Sequence, residues 1–124
     1  MRKQTQTTIS REIRRVIAME ADALRRVGGA VNGAYATAVS WMSQCKGKVI
    51  LTGVGKSGLV AQKIASTLAS TGTPALYLHP SEAMHGGLGL VQRGDILVAI
   101  GKSGESDELN DLLPHIRSIG AKCR

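Results

Sequence analysis

Short apolar runs that end in glycine and lead into helical periodicity constrain the fold of this 124-residue chain most strongly. The run Val49–Thr52 is rich in β-forming residues and stops at Gly53, and residues 57–70 then show the spacing of a helix. The alternation continues with two more strand-like runs and a last helix, at residues 75–78, 96–100 and 106–119. Strands that alternate with helices over short connections predict an α/β fold, a doubly wound parallel sheet.

Two helices are expected before the first strand. Residues 8–27 carry apolar side chains at helical spacing, and Gly28-Gly29 is expected to end that helix before a second one begins. We therefore predict an N-terminal helical segment, residues 1–47, that packs on the domain formed by residues 48–124. The last five residues resemble the lead-in to a fourth strand, so a sheet of three strands is expected within the chain.

The charge of the chain, +7, allows a nucleic acid, an anionic membrane or an anionic small molecule as ligand. Aromatic residues make up only 2% of the sequence and are not interleaved with the basic ones, which argues against nucleic-acid binding. No apolar run is long enough for a membrane span, so no membrane partner is expected. The isolated Cys45 and Cys123 fit a reducing compartment, and a cytoplasmic protein is predicted.

Two glycine- and serine-rich loops follow the first and third strand-like runs. Gly53–Gly58 offers backbone N–H groups, a lysine and a hydroxyl at a helix N-terminus, which favours an anion. Residues 101–106 repeat this chemistry. If the two strands are neighbours, both loops face one crevice at the switch point of the sheet. The sequence therefore predicts a pocket for a phosphate monoester, bound without a metal.

The first loop also matches the dinucleotide fingerprint G-x-G-x-x-G between a strand and a helix. That fingerprint expects an acidic residue after the second strand, where this chain has Leu78-His79-Pro80. A nucleotide P-loop would need glycine at Ile50, which excludes that motif. A dinucleotide-dependent oxidoreductase stays an alternative, and it predicts that NADH binds and a sugar phosphate does not.

Four strings of residues occur in the chain in the order Gly-Val-Gly-Lys-Ser-Gly, Ala-Ser-Thr-Gly-Thr-Pro, His-Pro-Ser-Glu-Ala-Met-His-Gly and Ser-Gly-Glu-Ser-Asp-Glu. Together they resemble the sugar isomerase (SIS) domain family, in particular the arabinose-5-phosphate isomerases of lipopolysaccharide and capsule sugar synthesis. The resemblance covers about residues 8–122. It implies a flavodoxin-like sheet, a homo-oligomer (dimer or tetramer), and interconversion of arabinose 5-phosphate and ribulose 5-phosphate without a cofactor.

The resemblance also implies roles for single residues, which are of two kinds. The residues expected to bind the phosphate and the sugar are Gly55, Ser57, Ser103, Gly104 and Ser106. The residues expected to be catalytic are Lys56, His85 and Glu108. Lys56 would stabilise the oxyanion of an enediolate, His85 would relay a proton or contact a sugar hydroxyl, and Glu108 would act as acid and base or bind a hydroxyl.

The chain departs from the family pattern at several points. Gly87 stands where the family usually has Asp, and Gly101-Lys102 replaces a small polar pair. A second glutamate, a His-Pro-Gly-Gly segment and the paired CBS domains of the family would lie beyond Arg124, so the chain resembles the first half of such an enzyme. The alternative is a non-catalytic SIS module that senses a phosphosugar.

Overall fold

The computed structural model describes residues 2–102 and 106–123, and in these ranges the chain forms five α-helices, a 3₁₀ turn and four β-strands. The helices are α1 (Arg2–Ala30), α2 (Gly33–Ser43), α3 (Gly55–Ser70), α4 (Pro80–Met84) and α5 (Asp107–Ile119). The strands are β1 (Val49–Thr52), β2 (Ala75–Tyr77), β3 (Ile96–Ala99) and β4 (Lys122–Cys123), and the 3₁₀ turn is Gly87–Leu90. The chain divides into two units, Met1–Thr37 and Ala38–Arg124.

The first unit consists mainly of α1, which is longer than the sequence predicts. Gly28-Gly29 does not end this helix, which continues to Ala30. Neither glycine adopts the positive φ of a C-terminal cap, so both are accommodated as ordinary helical residues. The large apolar side chains of α1 are 42–73% exposed. The expectation that residues 1–47 pack on the rest of the chain stays a prediction.

The second unit contains a parallel sheet in the order β2-β1-β3-β4. The central strand β1 is buried along its whole length, and each of its residues pairs with one of β3, from Val49 with Ile96 to Thr52 with Ala99. The chain leaves β1 toward one side to form β2 and then crosses to the other side to form β3. This reversal is the switch point of a doubly wound sheet, which confirms the predicted fold class.

Helices cover both faces of the sheet. On one face α3 contributes Ala61 and Ala65 to a core with Val49 and Leu51. On the other face α4 and α5 pack against Ile50 and Leu97, with buried residues that include Ala83, Leu112 and Ile116. Successive residues of β1 therefore serve opposite cores, as the alternation of a strand requires.

One detail of the second unit differs from the sequence expectations. The residues after α5 do form a fourth strand, since Lys122 and Cys123 pair in parallel with Ile96 and Leu97. The connection from β2 to β3 contains α4 and the 3₁₀ turn.

The buried face of α3 is formed by its small residues, whereas two of its large apolar residues lie on the exposed side. Val60 and Ile64 are 51% and 38% exposed, whereas Gly58, Ala61 and Ala65 face the sheet. Small side chains let a helix lie close to a strand, and this close approach decides which face is buried.

A buried ion pair holds the amino-terminal edge of the sheet. Asp95, which is fully buried, accepts hydrogen bonds from the Lys48 ammonium at 2.7 Å and from the Lys48 and Gln92 backbone N–H groups at 3.0 and 2.8 Å. A Cβ at Gly47 would collide with this carboxylate. Burial opposes ionisation of Asp95, but these donors outweigh it and hold the pKa of the carboxyl below its ordinary value of 3.8.

Replacing this carboxylate tests how strongly the pair stabilises the sheet. We expect Asp95→Asn to lower the free energy of unfolding by about 3 kcal/mol at pH 7, because the Lys48 ammonium loses its partner. A carboxyl with a lowered pKa stabilises the fold above its unfolded pKa, and this contribution is lost as the pH falls through the folded pKa. The difference in the free energy of unfolding between wild type and variant, measured by urea unfolding, should therefore become smaller below about pH 4. Asp111→Asn, at an exposed position of α5, is the control, and an equal effect there would contradict the assignment.

Candidate functional site

The first predicted loop forms an N-terminus of α3 that no side chain caps. Val54 is extended (φ −109°, ψ 153°) and provides no capping hydrogen bond. The amides of Gly55, Lys56 and Ser57 open the first turn, where a helix has no carbonyl of its own for them. Gly55 has a φ of 56°, a conformation that favours glycine. Free amides, the helix dipole and the exposed Lys56 together favour an anion at this point.

Close packing fixes this loop against the end of β3. A Cβ at Gly53 would lie 2.7 Å from the Ile100 carbonyl oxygen, and Ile100 in turn donates its N–H to Thr52 at 2.9 Å. The residue after β1 therefore touches the residue after β3. The two loops therefore start at the same edge of the sheet, and residues 103–105 of the second loop lie outside the described residues.

The second loop begins with Gly101 and Lys102, which are exposed. The predicted residues Ser103 and Gly104 lie outside the described residues. Ser106 is half-buried and caps α5, its hydroxyl oxygen accepting a hydrogen bond from the Leu109 N–H at 3.2 Å. The same hydroxyl retains its own proton for donation to a ligand.

The predicted Glu108 is exposed in the first turn of α5, next to Asp107. Acidic side chains at this position complement the helix dipole. The two helix N-termini at this edge of the sheet thus differ in charge: that of α3 is basic and uncapped, and that of α5 is acidic and capped by Ser106.

The segment around α4 contains two histidines, of which one has a structural role and the other has an exposed side chain. His79 caps α4, since its Nδ1 accepts the Ser81 N–H at 3.2 Å. His85 ends α4, donates its backbone N–H to the Glu82 carbonyl oxygen at 3.1 Å, and has an exposed side chain. Because α4 packs against α5, His85 and Glu108 lie on neighbouring elements, across the sheet from the helix that carries Lys56.

The departure at Gly87 has a steric explanation. A Cβ there would lie 2.8 Å from the Glu82 carbonyl oxygen and 2.9 Å from Leu78 Cδ1. The chain therefore leaves no room for an aspartate at this position unless α4 shifts.

Two polar residues near the loops were missed in the sequence. Thr52 is fully buried, and its hydroxyl has no hydrogen-bond partner within the described ranges. By strand alternation its side chain lies on the same face as Ile50, toward α4 and α5. Tyr77 donates its hydroxyl to the Gly53 carbonyl oxygen at 2.7 Å. A hydroxyl at the carboxyl end of each apolar run was the available signal for both residues.

Three further features of the described residues bear on cofactors and membranes. No three His, Cys, Asp or Glu side chains among residues 2–102 and 106–123 are grouped so that they could hold a metal ion. Cys45 and Cys123 are free thiols. In the same ranges, none of the helices is both long and apolar enough to cross a membrane.

The chain matches a known family model and several curated sequences. The family model of the SIS domain matches residues 42–123. The arabinose 5-phosphate isomerase KpsF of Escherichia coli O6:H1 is 43% identical over 109 residues, and the arabinose 5-phosphate isomerase KdsD of Shigella flexneri is 44% identical over 104 residues. These alignments cover 87% and 84% of this chain but 33% and 32% of the relatives. The chain therefore spans about a third of the length of these curated relatives.

Solved structures agree with this assignment. A Listeria monocytogenes protein proposed to be a sugar-phosphate isomerase has a TM-score of 0.72 and 35% identity, over 75% of this chain and 49% of its own. An Escherichia coli CFT073 protein in complex with arabinose 5-phosphate has a TM-score of 0.70 and 42% identity, over 73% of this chain and 48% of its own. With the family match extending over most of its length and relatives of this similarity, the chain belongs to the SIS domain family.

Proposed function

We propose that the chain is the phosphosugar-binding part of an aldose–ketose isomerase that interconverts arabinose 5-phosphate and ribulose 5-phosphate. The observation that carries the proposal is the close approach of Gly53 to Ile100, which brings the uncapped N-terminus of α3 to the end of β3 at the switch point. Ligands of doubly wound sheets bind at this edge. Supporting evidence comes from relatives that are arabinose 5-phosphate isomerases and from a related structure that contains this sugar phosphate.

The phosphate would be held by neutral donors and one cation. In this proposal the amides of Gly55 and Ser57, with the Ser57 hydroxyl, bind phosphate oxygens from the side of α3. Ser103, Gly104 and Ser106 bind from the other loop, where the Ser106 hydroxyl can donate while its oxygen caps α5. Such donors favour a phosphate dianion without a metal.

The chemical step moves a proton between adjacent carbons of the sugar through an enediolate. We assign Lys56 to the developing oxyanion, because an exposed ammonium beside free helix amides stabilises negative charge. His85 directly follows α4 and Glu108 lies on α5, two helices that pack together, and these residues would relay the proton or hold the sugar hydroxyls. In this assignment the cation, Lys56, lies on the face of the sheet covered by α3, and the proton-transfer groups lie on the face covered by α4 and α5.

The larger assembly also belongs to the proposal. The exposed apolar side chains of α1 and α3 support burial against a second copy in a dimer or tetramer, and those of α1 also support the expected packing of residues 1–47 on the domain. The free thiols of Cys45 and Cys123 support a reducing compartment, the cytoplasm.

Calorimetric titration with arabinose 5-phosphate, and with unphosphorylated arabinose alongside, tests the ligand. We expect saturable binding of the phosphorylated sugar alone, because the donors at the edge of the sheet recognise the phosphate. Binding of both sugars alike, or of neither by a chain shown to be folded, would contradict the proposal. Binding of NADH instead would favour the oxidoreductase. Binding of arabinose 5-phosphate without its conversion to ribulose 5-phosphate would favour the sensing module.

Lys56→Ala tests the assignment of the cation. We expect turnover to fall by roughly a hundredfold or more, since the oxyanion loses its stabilising charge. Affinity for arabinose 5-phosphate should fall less, by about threefold to tenfold, because an exposed ion pair contributes only about 1 kcal/mol.

Lys63→Ala is the matched control for this variant. Lys63 is an exposed lysine two turns further along α3, where its ammonium bonds the Thr67 hydroxyl at 3.1 Å. Removing Lys63 lowers the net charge by the same amount but leaves the N-terminus of α3 intact. Neither the turnover nor the affinity for arabinose 5-phosphate should therefore change. Equal losses in the two variants would show that overall charge, and not the position of Lys56, determines activity.

A further inference from the structure

The hydroxyl of Tyr77 lies at the entry to the first loop. Tyr77 is the last residue of β2 and pairs with Leu51 of β1, so its ring stands beside the end of the central strand. Its hydroxyl donates to the carbonyl oxygen of Gly53 at 2.7 Å. Gly53 is buried, so this phenol satisfies a carbonyl group that the strand ladder has released.

The loop is shaped to receive this hydroxyl. A Cβ at Gly58 would lie 2.8 Å from the Tyr77 hydroxyl oxygen and 2.7 Å from the Gly53 carbonyl oxygen. Any side chain at Gly58 would therefore collide with both partners of the hydrogen bond. The contact depends on a glycine that the helix itself does not require, since Gly58 lies within α3 and has a negative φ.

The contact determines the orientation of a peptide plane. The Gly53 carbonyl group and the Val54 N–H belong to one planar peptide and point in opposite directions. Fixing the carbonyl toward Tyr77 therefore fixes the chain direction at Val54, the residue from which α3 starts. The free amides of the first helical turn inherit this orientation.

The ring of Tyr77 also contacts the histidine segment. It meets the ring of His79 edge-on, with centroids 6.4 Å apart and planes at 77°. Burial raises the pKa of the phenol above its ordinary value of 10.0, and the nearby charge of Glu82 adds to the rise. A hydrogen bond with Gln62 acts in the opposite direction but does not cancel the rise. The hydroxyl is thus a proton donor throughout the neutral range.

We propose that Tyr77 is a positioning residue, which through the Gly53 carbonyl aligns the first-turn amides of α3 for the phosphate and through His79 links them to α4. This inference rests on the proposed function for its ligand, but not for its geometry. In this role Tyr77 acts through Gly53 and His79 and is not one of the proposed phosphate donors, so its loss should change the arrangement of those donors without removing any of them.

Tyr77→Phe removes the hydroxyl and keeps the ring. We expect affinity for arabinose 5-phosphate to fall about tenfold, which corresponds to about 1.4 kcal/mol. In amide NMR spectra of the ligand-free protein, the signals of Val54, Lys56 and Ser57 should shift while that of Ser81, bonded to His79, stays. Tyr77→Leu removes the ring as well and should also shift the Ser81 signal.

Tyr35→Phe is the control, because Tyr35 is an exposed tyrosine of α2. It should change neither the affinity nor these signals. Thermal melts verify that each variant is folded at the temperature of the titration, so that a loss of stability is not read as a loss of affinity.

The outcomes separate this inference from the proposed function. If wild type binds the sugar phosphate and Tyr77→Phe binds it equally well, the positioning role is overturned. If wild type does not bind it, the proposed function fails, and the ligand-free spectra decide alone. Shifted first-turn amides in Tyr77→Phe would then support the role of Tyr77, and unchanged amides would refute it.

Discussion

The parallel pairing of β1 with β3 is the constraint on which the rest of the structure depends. Four consecutive residue pairs join the two strands, and the ladder continues to the bond from the Ile100 N–H to the Thr52 carbonyl. Because the strands run the same way and in register, they end together, and whatever follows them meets at one edge. The crossovers leave β1 and β3 in opposite directions, and strand ends at such a reversal border the crevice where ligands of doubly wound sheets bind.

Small residues convert this pairing into a shaped site. Gly53 lets the chain pass against the carbonyl of Ile100, and Gly58 leaves space for the hydroxyl of Tyr77. Ala61 and Ala65 let α3 lie close to β1. The same close approach leaves Val60 outside the core, so the helix is held by contact of backbones and short side chains more than by a broad apolar face.

Polar contacts at the two ends of the sheet have different roles. At the amino-terminal edge, Asp95 and Lys48 form a closed arrangement in which the buried carboxylate has a cation and two backbone donors. At the carboxyl-terminal edge, donors at the start of α3 and the hydroxyl of Thr52 are left open within the described residues. Polar groups whose hydrogen bonds are satisfied within the protein stabilise the fold, whereas unsatisfied groups near a crevice are available to a ligand.

Much of the architecture was readable from local patterns. The runs around Ile50 and Leu97 are apolar and β-branched because both faces of a central parallel strand are buried, and such runs identify strands without knowledge of the fold. The glycine loop after β1 predicted an anion site, because the free backbone N–H groups at a helix N-terminus favour an anion whatever the side chains are. The end of the chain was recognised only as the lead-in to a fourth strand, because the two residues of β4 carry too little periodicity to predict pairing with β3.

Residue types at short spacing were sufficient to predict the fold class and the family. The three-dimensional packing was needed to show that Gly53 meets Ile100, that His79 caps α4 while His85 stays exposed, and that Tyr77 reaches the first loop. These contacts join residues far apart in the chain, and they depend on strand order and on how closely α3 approaches the sheet. Neither of these is encoded in any local pattern, because both arise from packing that involves the whole sheet.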